Sequence, residues 1–280
     1  MNITLIAEPS SNPVLDTALD LLRERHAVSV LDPRSLSPWG FRPEPSGRRD
    51  GDMVLLKSRT AEARSWAHHA ERAGAVVVNT PTATDTALDR QLSAELLEAA
   101  GVPTPRTLAF ASLADLAREA YRPGAAPLPW PLVVKSRTSR RGDLVRLVVG
   151  RHELAELLPE WGREPVIAQR FLPNDGFDLK FWVVGGHVSV ARRPAALEVR
   201  RKDADVELDP ACLPEGLVDI ALRAGHAIGL DLFGADIVLS EGRPVVIDVN
   251  AFPGFRGASD AAAHLAGFVE QAWRQRAVAS

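Results

Sequence analysis

The sequence predicts an α/β protein, with a small parallel α/β lobe at the N-terminus followed by two α+β lobes. Three observations carry this. Short apolar runs alternate with helical periodicity through residues 1–79. Strand–glycine loop–strand patterns occupy the middle of the chain, and two apolar runs near the C-terminus are joined by a tight turn. The 280 residues are 46% hydrophobic, enough for two or three small cores. Lobes are expected at 1–83, 84–168 and 169–280.

Ile3–Ala7 is the first expected strand, followed by a helix over Pro13–His26 with Leu15, Leu19, Leu21 and Leu22 inside. Val28–Leu31, Met53–Leu56 and Val76–Asn79 are further strands, and the alanine-rich 60–74 is helical. Residues 33–52 hold four prolines and three glycines and read as a loop. A single helix is expected over Asp85–Ala100, capped by Thr84 or Asp85 and stopped by Gly101, Pro103 and Pro105. Residues 122–131 read as a surface connection and 152–160 as a short helix. Gly185-Gly186 turns a hairpin within Lys180–Val190. Helices over Leu213–Ile228 and Ala258–Arg274 complete the chain, which shows no internal repeat.

The net charge of −3 gives no pull toward nucleic acid or anionic membrane. The single cysteine, Cys212, excludes an internal disulfide framework and reads as a small buried residue. No basic leader and no apolar run approaching 18 residues is present, so the expectation is a soluble cytoplasmic protein. The oligomeric state is left open.

The most informative stretch is VVIDVNAFPGFRG, residues 245–257. Asp248 and Asn250 stand two apart in an apolar strand and so share a face. Asp236, in the preceding strand FGADIVL, is folded back onto them by a turn at Glu241-Gly242-Arg243-Pro244. Oxygen-only donors at a strand end suit a hard cation such as Mg²⁺; the alternative is a hairpin whose polar residues only meet solvent. Four of the 33 lysines and arginines are lysine: Lys57, Lys135, Lys180 and Lys202. Lys135 ends the run PLVV before the loop SRTSRRG and a second β-like run over Leu144–Val149. That flap, with Gly142 in it, can lay N–H groups and a point charge over phosphates. Neither GxxxxGK[ST] nor a helix-opening GxGxxG occurs. The strand PVIAQRFL, ending in Gln169, Arg170, Phe171 and Leu172, can offer its backbone to a base edge or serve as a plain connection. Cations gather at Arg137, Arg140 and Arg141 in the flap, at Lys180 and Arg193 on the hairpin, and at Arg200, Arg201 and Lys202 beyond it. Arginine forks fit carboxylate and phosphate alike, so the acceptor is expected to be a small anion. Gly254 permits close backbone approach. His187 and the pair His68-His69 read as packing or solvated residues.

In this order, a helix start at Asp89-Arg90-Gln91, GVPTPRT, VVK with its flap, QRFL, DLKFWVVGGHVSVARRP, FGADIV and VVIDVNAFPG resemble the ATP-grasp superfamily, over roughly residues 76 to 268. Two branches fit. RimK-like carboxylate–amine ligases share the layout. Inositol polyphosphate kinases of ATP-grasp type resemble the chain at Lys180–Pro194 and at Asp-x-Asn with its Phe-Pro-Gly turn. The resemblance implies an ATP-grasp fold, with ATP between two lobes and one or two Mg²⁺ held by Asp236, Asp248 and Asn250. It implies that Arg90, Lys135 and Gly142 meet the phosphates, and that Gln169, Arg170, Phe171 and Leu172 meet the adenine. Lys180 and Arg193 take the catalytic role; with Arg137, Arg140, Asn250 and Gly254 they face the acceptor. Gln91 departs from the lysine that many ligases carry there. In the N-terminal lobe only Lys57 and Arg59 offer a basic substrate motif. No general base is evident, which suits an acceptor that is already an anion. The expectation is therefore a ligase working through an acyl phosphate, ahead of a small-molecule kinase and of a non-catalytic nucleotide-binding module.

Overall fold

The computed structural model describes residues 1–9, 12–35, 52–122, 128–195, 197 and 205–279. The loop expected over 33–52 is described only at its ends, with a 3-10 turn at Pro33–Ser35. Part of the 122–131 connection, and Arg200, Arg201 and Lys202, lie outside the described residues.

Strands β1 (Asn2–Ile6), β2 (Ala27–Leu31), β3 (Asp52–Leu56) and β4 (Val76–Val78) form a parallel sheet in the order β2-β1-β3-β4. Helix α1 (Pro13–Arg23) starts at Asn12, whose side chain accepts the Leu15 N–H, with Pro13 in the first turn. It buries Leu15, Ala18, Leu19 and Leu22, one stripe at helical spacing, whereas Leu21 lies off that stripe and is exposed. Helix α2 (Ala61–Arg72) turns Ala63 and Ala67 onto β3 and β4.

The helix expected over Asp85–Ala100 is instead two, α3 (Pro81–Leu88) and α4 (Arg90–Ala99). Asp89 leaves helical geometry and its carboxylate caps α4, accepting the Gln91 and Leu92 N–H groups at 3.0 and 3.2 Å. Thr80 caps α3 in the same way, which moves that start upstream of Thr84. The break places Arg90 at the first position of a helix.

Strand β5 (Thr107–Phe110), helix α5 (Leu113–Tyr121), β6 (Leu132–Ser136), β7 (Val145–Val148), α6 (Arg151–Trp161) and β8 (Val166–Arg170) follow. Their four strands make an antiparallel sheet, β5-β8-β6-β7. Its outer face packs Leu132, Val134 and Val166 on Leu113, Leu116 and Leu154.

The last sheet, in the order β11-β10-β9-β12-β13, contains β9 (Phe177–Val184), β10 (His187–Pro194), β11 (Val206–Leu208), β12 (Leu232–Ser240) and β13 (Arg243–Ala251). Helix α7 (Leu217–Ile228) covers one face against Phe181, Val183, Phe233 and Ile237, and α3 joins it through Ala83 and Ala87. The opposite face is divided along its length. Trp182, Val184 and Leu232 pack on α8 (Ala261–Ala279) and on Leu15 and Leu19 of α1, while the other half faces the second sheet. Asn79, fully buried, locks the first sheet to β12: its amide donates to the Leu232 carbonyl at 2.8 Å and accepts the Asp231 and Leu232 N–H groups.

Several boundaries differ from expectation: α1 ends at Arg23 rather than His26, and the strands around Gly185-Gly186 reach from Phe177 to Pro194 rather than from Lys180 to Val190. α7 starts at Leu217, because Pro214 has no N–H and Gly216 is left-handed at φ 80. α8 starts at Ala261. The last hairpin turns on Glu241 and Gly242 alone, both at positive φ, so Arg243 and Pro244 already belong to β13, where Pro244 is tolerated on an edge strand. Cys212 is exposed, not buried, because it sits in a 3-10 turn (Pro210–Cys212) outside the core.

Candidate active site

A β-bulge builds the acidic side of the site. Asp236 pairs with Asp248 and Ile237 with Val246, leaving Ile247 as an extra residue in β13. In an unbroken strand Val246 and Asp248 would share a face. The bulge resets the alternation, so Val246 and Val249 both enter the α7 core while Ile247 and Asp248 both line the cleft. Asn250, two residues on, shares the Asp248 face, and its Nδ2 donates to Asp248 Oδ2 at 2.9 Å.

The opposite wall is one face of the second sheet. Val133 stands between its cross-strand partners Leu147 and Gln169, and Lys135 is paired with Val145. These side chains, the segment Gln169–Leu172, and Val238 and Ile247 across the gap enclose a cavity of ≈ 280 Å³. Its walls are apolar at one end, and at the other end Arg90, Lys135, Asp178, Arg193, Asp236 and Asp248 converge.

Lys135 crosses the cleft to donate to the Ile247 carbonyl at 2.8 Å. Burial lowers its pKa, opposed by the nearby Asp248 carboxylate. Arg90, from the α4 start, donates to Asp143 at 2.6 Å and to the Ser136 carbonyl at 2.8 Å. Its Nε is buried without a hydrogen-bond partner among the described residues and lies 4.0 Å from Asp248 Oδ1. Burial would raise Asp248, but Lys135, Arg90 and Lys180, with the Asn250 amide, outweigh it and hold the carboxyl below its usual range.

Asp236 meets Lys180 at 2.7 Å and Arg193 at 3.0 Å. Gly234 makes the Lys180 reach possible, since a Cβ there would come within 3.0 Å of Nζ. Arg193 also donates to Asp178 at 2.6 Å. Burial lifts Asp178 to about 6 despite this guanidinium. Burial opposes the charge on Arg193, but Asp236 and then Asp178 more than offset it, and its pKa is raised.

At the far side of Asn250 the first lobe contributes cations. Arg59 Nη2 donates to Asn250 Oδ1 and to the Ala251 carbonyl, each at 3.3 Å. Lys57 lies 6.0 Å from the Phe252 ring centroid, and burial, reinforced by Arg59, lowers its pKa to about 8.

The structure thus brings together Arg90, Lys135, Gln169, Arg170, Phe171, Leu172, Lys180, Arg193, Asp236, Asp248 and Asn250. It places the other named residues elsewhere. Arg137 is paired with Asp89 at 2.7 Å and Arg140 with Glu164 at 2.5 Å, both half exposed. Gly142 occupies the flap turn at φ 74, outside the cavity lining. Gly254 faces α1, where its carbonyl accepts from Asn12. The Phe171 N–H is taken by the Pro131 carbonyl, whereas the Leu172 N–H has no partner among the described residues. Sequence reasoning missed Asp143 and Asp178. The second had a signal: Asp178-x-Lys180 puts both on one strand face.

The oxygen set of Asp236, Asp248 and Asn250 fits a hard divalent cation. The orphaned Arg90 Nε beside Lys135 fits an anion such as a phosphate.

A family model described as the RimK-like ATP-grasp domain matches residues 87–267. A probable alpha-L-glutamate ligase of Thioalkalivibrio sulfidiphilus is 32% identical over 88% of this chain and 87% of its own. The ribosomal protein bS6–L-glutamate ligase of Escherichia fergusonii is 28% identical over 84% and 82%. Human N-acetylaspartylglutamate synthase A is 28% identical over 76% of this chain, which spans about half (53%) of that longer protein. Among solved structures, a RimK domain ATP-grasp protein from Sphaerobacter thermophilus superimposes with TM-score 0.71 at 22% identity, over 96% and 99% of the two chains. The D-alanine–D-alanine ligase of Bacillus anthracis, solved with ATP, gives 0.68 at 18%, over 100% and 99%.

Proposed function

The chain belongs to the RimK-like ATP-grasp family of carboxylate–amine ligases, and on that footing we propose that it uses Mg·ATP to join a small anionic carboxylate to an amine. The observation that carries the reading is the cleft itself. Oxygen donors re-aimed by a bulge face Lys135 and Arg90 across a cavity whose other end is apolar.

The adenine lies between Val133 and Leu147 on one side and Val238 and Ile247 on the other, with the Leu172 N–H as its backbone donor. Arg90 and Lys135 hold the phosphates. On ligand entry Lys135 exchanges the Ile247 carbonyl for a phosphate oxygen, a charge-assisted bond. Asp236, Asp248 and Asn250 would hold one or two Mg²⁺, which would supply charge neutralisation to the transferring phosphoryl group. Arg59 and Lys57, at the Asn250 end, hold the acceptor's carboxylates.

An acceptor carboxylate oxygen attacks the γ-phosphorus and ADP leaves, giving an acyl phosphate. An amine nitrogen then attacks the acyl carbon, phosphate leaves, and the amine proton passes to that phosphate or to water. A carboxylate nucleophile requires no base, and the site has none to spare: Asp236 is held by Lys180 and Arg193, and Asp178 by Arg193. A kinase acting on an alcohol would require one, and the relatives reported above are ligases and synthases. No helix among the described residues is long and apolar enough to cross a membrane.

The test is ATP turnover with Mg²⁺ against pooled amino acids and small carboxylates, with products followed by mass. The reading predicts a condensed product formed with loss of water, alongside ADP and free phosphate. A phosphorylated acceptor with no free phosphate would overturn it.

A further inference from the structure

Away from the cleft, His187 at the start of β10 meets Asp260 and His264 at the N-terminal end of α8. His187 Nε2 lies 2.9 Å and His264 Nε2 3.5 Å from the same carboxylate oxygen, Asp260 Oδ2. All three ligand atoms fall within 4.8 Å of one another. The two imidazoles stack face to face, with centroids 3.4 Å apart and planes 9° from parallel. From these contacts the geometry points to a transition-metal site of two histidines and one carboxylate, with zinc as its chemical type.

Four arguments carry it. First, bonds of about 2.0–2.1 Å in a tetrahedral zinc site put neighbouring ligand atoms about 3.3 Å apart, and the two distances here straddle that edge. Second, the carboxylate is already oriented. The buried Ser189 hydroxyl donates to Asp260 Oδ1 at 3.1 Å and lies 3.5 Å from His187 Nε2, while Oδ2 faces the two imidazoles and becomes the ion's ligand when they turn. Such support beyond the ligands is characteristic of metal sites. Third, the turn that presents Asp260 is pinned, because Glu207 accepts both the N–H and the hydroxyl of Ser259 at 3.1 Å. Fourth, imidazole nitrogens favour zinc, nickel or copper over magnesium or calcium, so this site would not compete for the ion proposed in the cleft. Ligation requires the two rings to turn out of their stack until both lone pairs converge. His187 and His264 are partly exposed, which leaves them room to turn.

The site is remote from the chemistry. His187 pairs with Val184 at the turn end of the hairpin, whereas Arg193 pairs with Asp178 at the other end, six residues along β9, or about 20 Å. A bound ion would clamp this hairpin to α8 without touching the cleft.

The experiment is a zinc titration of the full chain in excess Mg²⁺ against a competing chromogenic chelator, repeated with Co²⁺ for its visible absorption. The expected result is one equivalent of zinc. It should be lost in His187→Ala and in His264→Gln together with the cobalt bands, while both variants keep wild-type circular dichroism and Mg·ADP binding. The second variant sits on a partly exposed helix face and keeps the test open should the first fail to fold. No zinc bound by the wild type, or equal zinc bound by wild type and His264→Gln, would overturn the assignment.

Discussion

Asp248 sits in the cleft hydrogen-bonded to Asn250, with Arg90 at 4.0 Å and the charge of Lys135 nearby. Asp248→Asn should lower turnover by ~10²-fold or more while the unfolding transition stays near wild type. Near-normal ATP consumption would remove this pair from the metal site. Asp178 yields a prediction in pH. Its pKa in the folded chain is about 6, above the ordinary carboxylate value. Over that window the folded state holds a proton that the unfolded chain has released, so stability falls as pH rises and is level above about 6. Urea unfolding across this range should show that slope in the wild type and lose it in Asp178→Asn; an unchanged slope would refute the assignment. Single residues were legible where a spacing exposes them. Asp248-x-Asn250 states its shared face outright. Asp143 was not legible, because its arginine partner lies 53 residues away and the fold alone brings the two together; Asp178 was passed over although Asp178-x-Lys180 puts both on one strand face.

The elements that position these residues were read well wherever the apolar period is clear, as in β1, β6, β9 and β12. They were misread where one polar side chain resets the backbone. By periodicity Asp89 is one more residue in a helical run over Asp85–Ala100, and only the family resemblance put a helix start there; its capping carboxylate splits that run and places Arg90 in the cleft. The bulge at Ile247 was equally hidden, since Val245, Val246, Ile247 and Val249 are apolar in either register. Helix α7, which backs β12, is testable at Gly225. Alanine would gain about 1 kcal/mol of helix propensity. Its Cβ, however, would stand 2.0 Å from the ring of the fully buried Phe233, and overpacking of that kind costs about 1–3 kcal/mol. Packing should win, so Gly225→Ala should unfold at lower denaturant than the wild type. A neutral or stabilising result would mean that α7 does not lie so close to β12.

At the scale of the whole molecule, the first sheet completes the proposed site across Asn250 through Arg59. That role was the least legible part, because Lys57 and Arg59 are two cations at a strand end with no motif around them. The Asn79 lock, the shared core of α1 with α8 and the Asn12–Gly254 bond bring them to the cleft. Arg59→Met should raise the acceptor's KM by about tenfold and leave that of ATP near wild type; a shift in ATP alone would place Arg59 with the nucleotide. Burial holds Lys57 at about 8, so its cation is present below that pH and lost as pH rises through it. Acceptor KM should therefore climb above about 8 in the wild type and stay level in Lys57→Arg, as steady-state kinetics across that range would show. Transfer of the γ-phosphoryl group to a carboxylate oxygen can be followed by supplying the acceptor labelled with ¹⁸O in its carboxylate and weighing the phosphate released. One ¹⁸O in each phosphate is expected; phosphate without label, formed alongside product, would rule that transfer out.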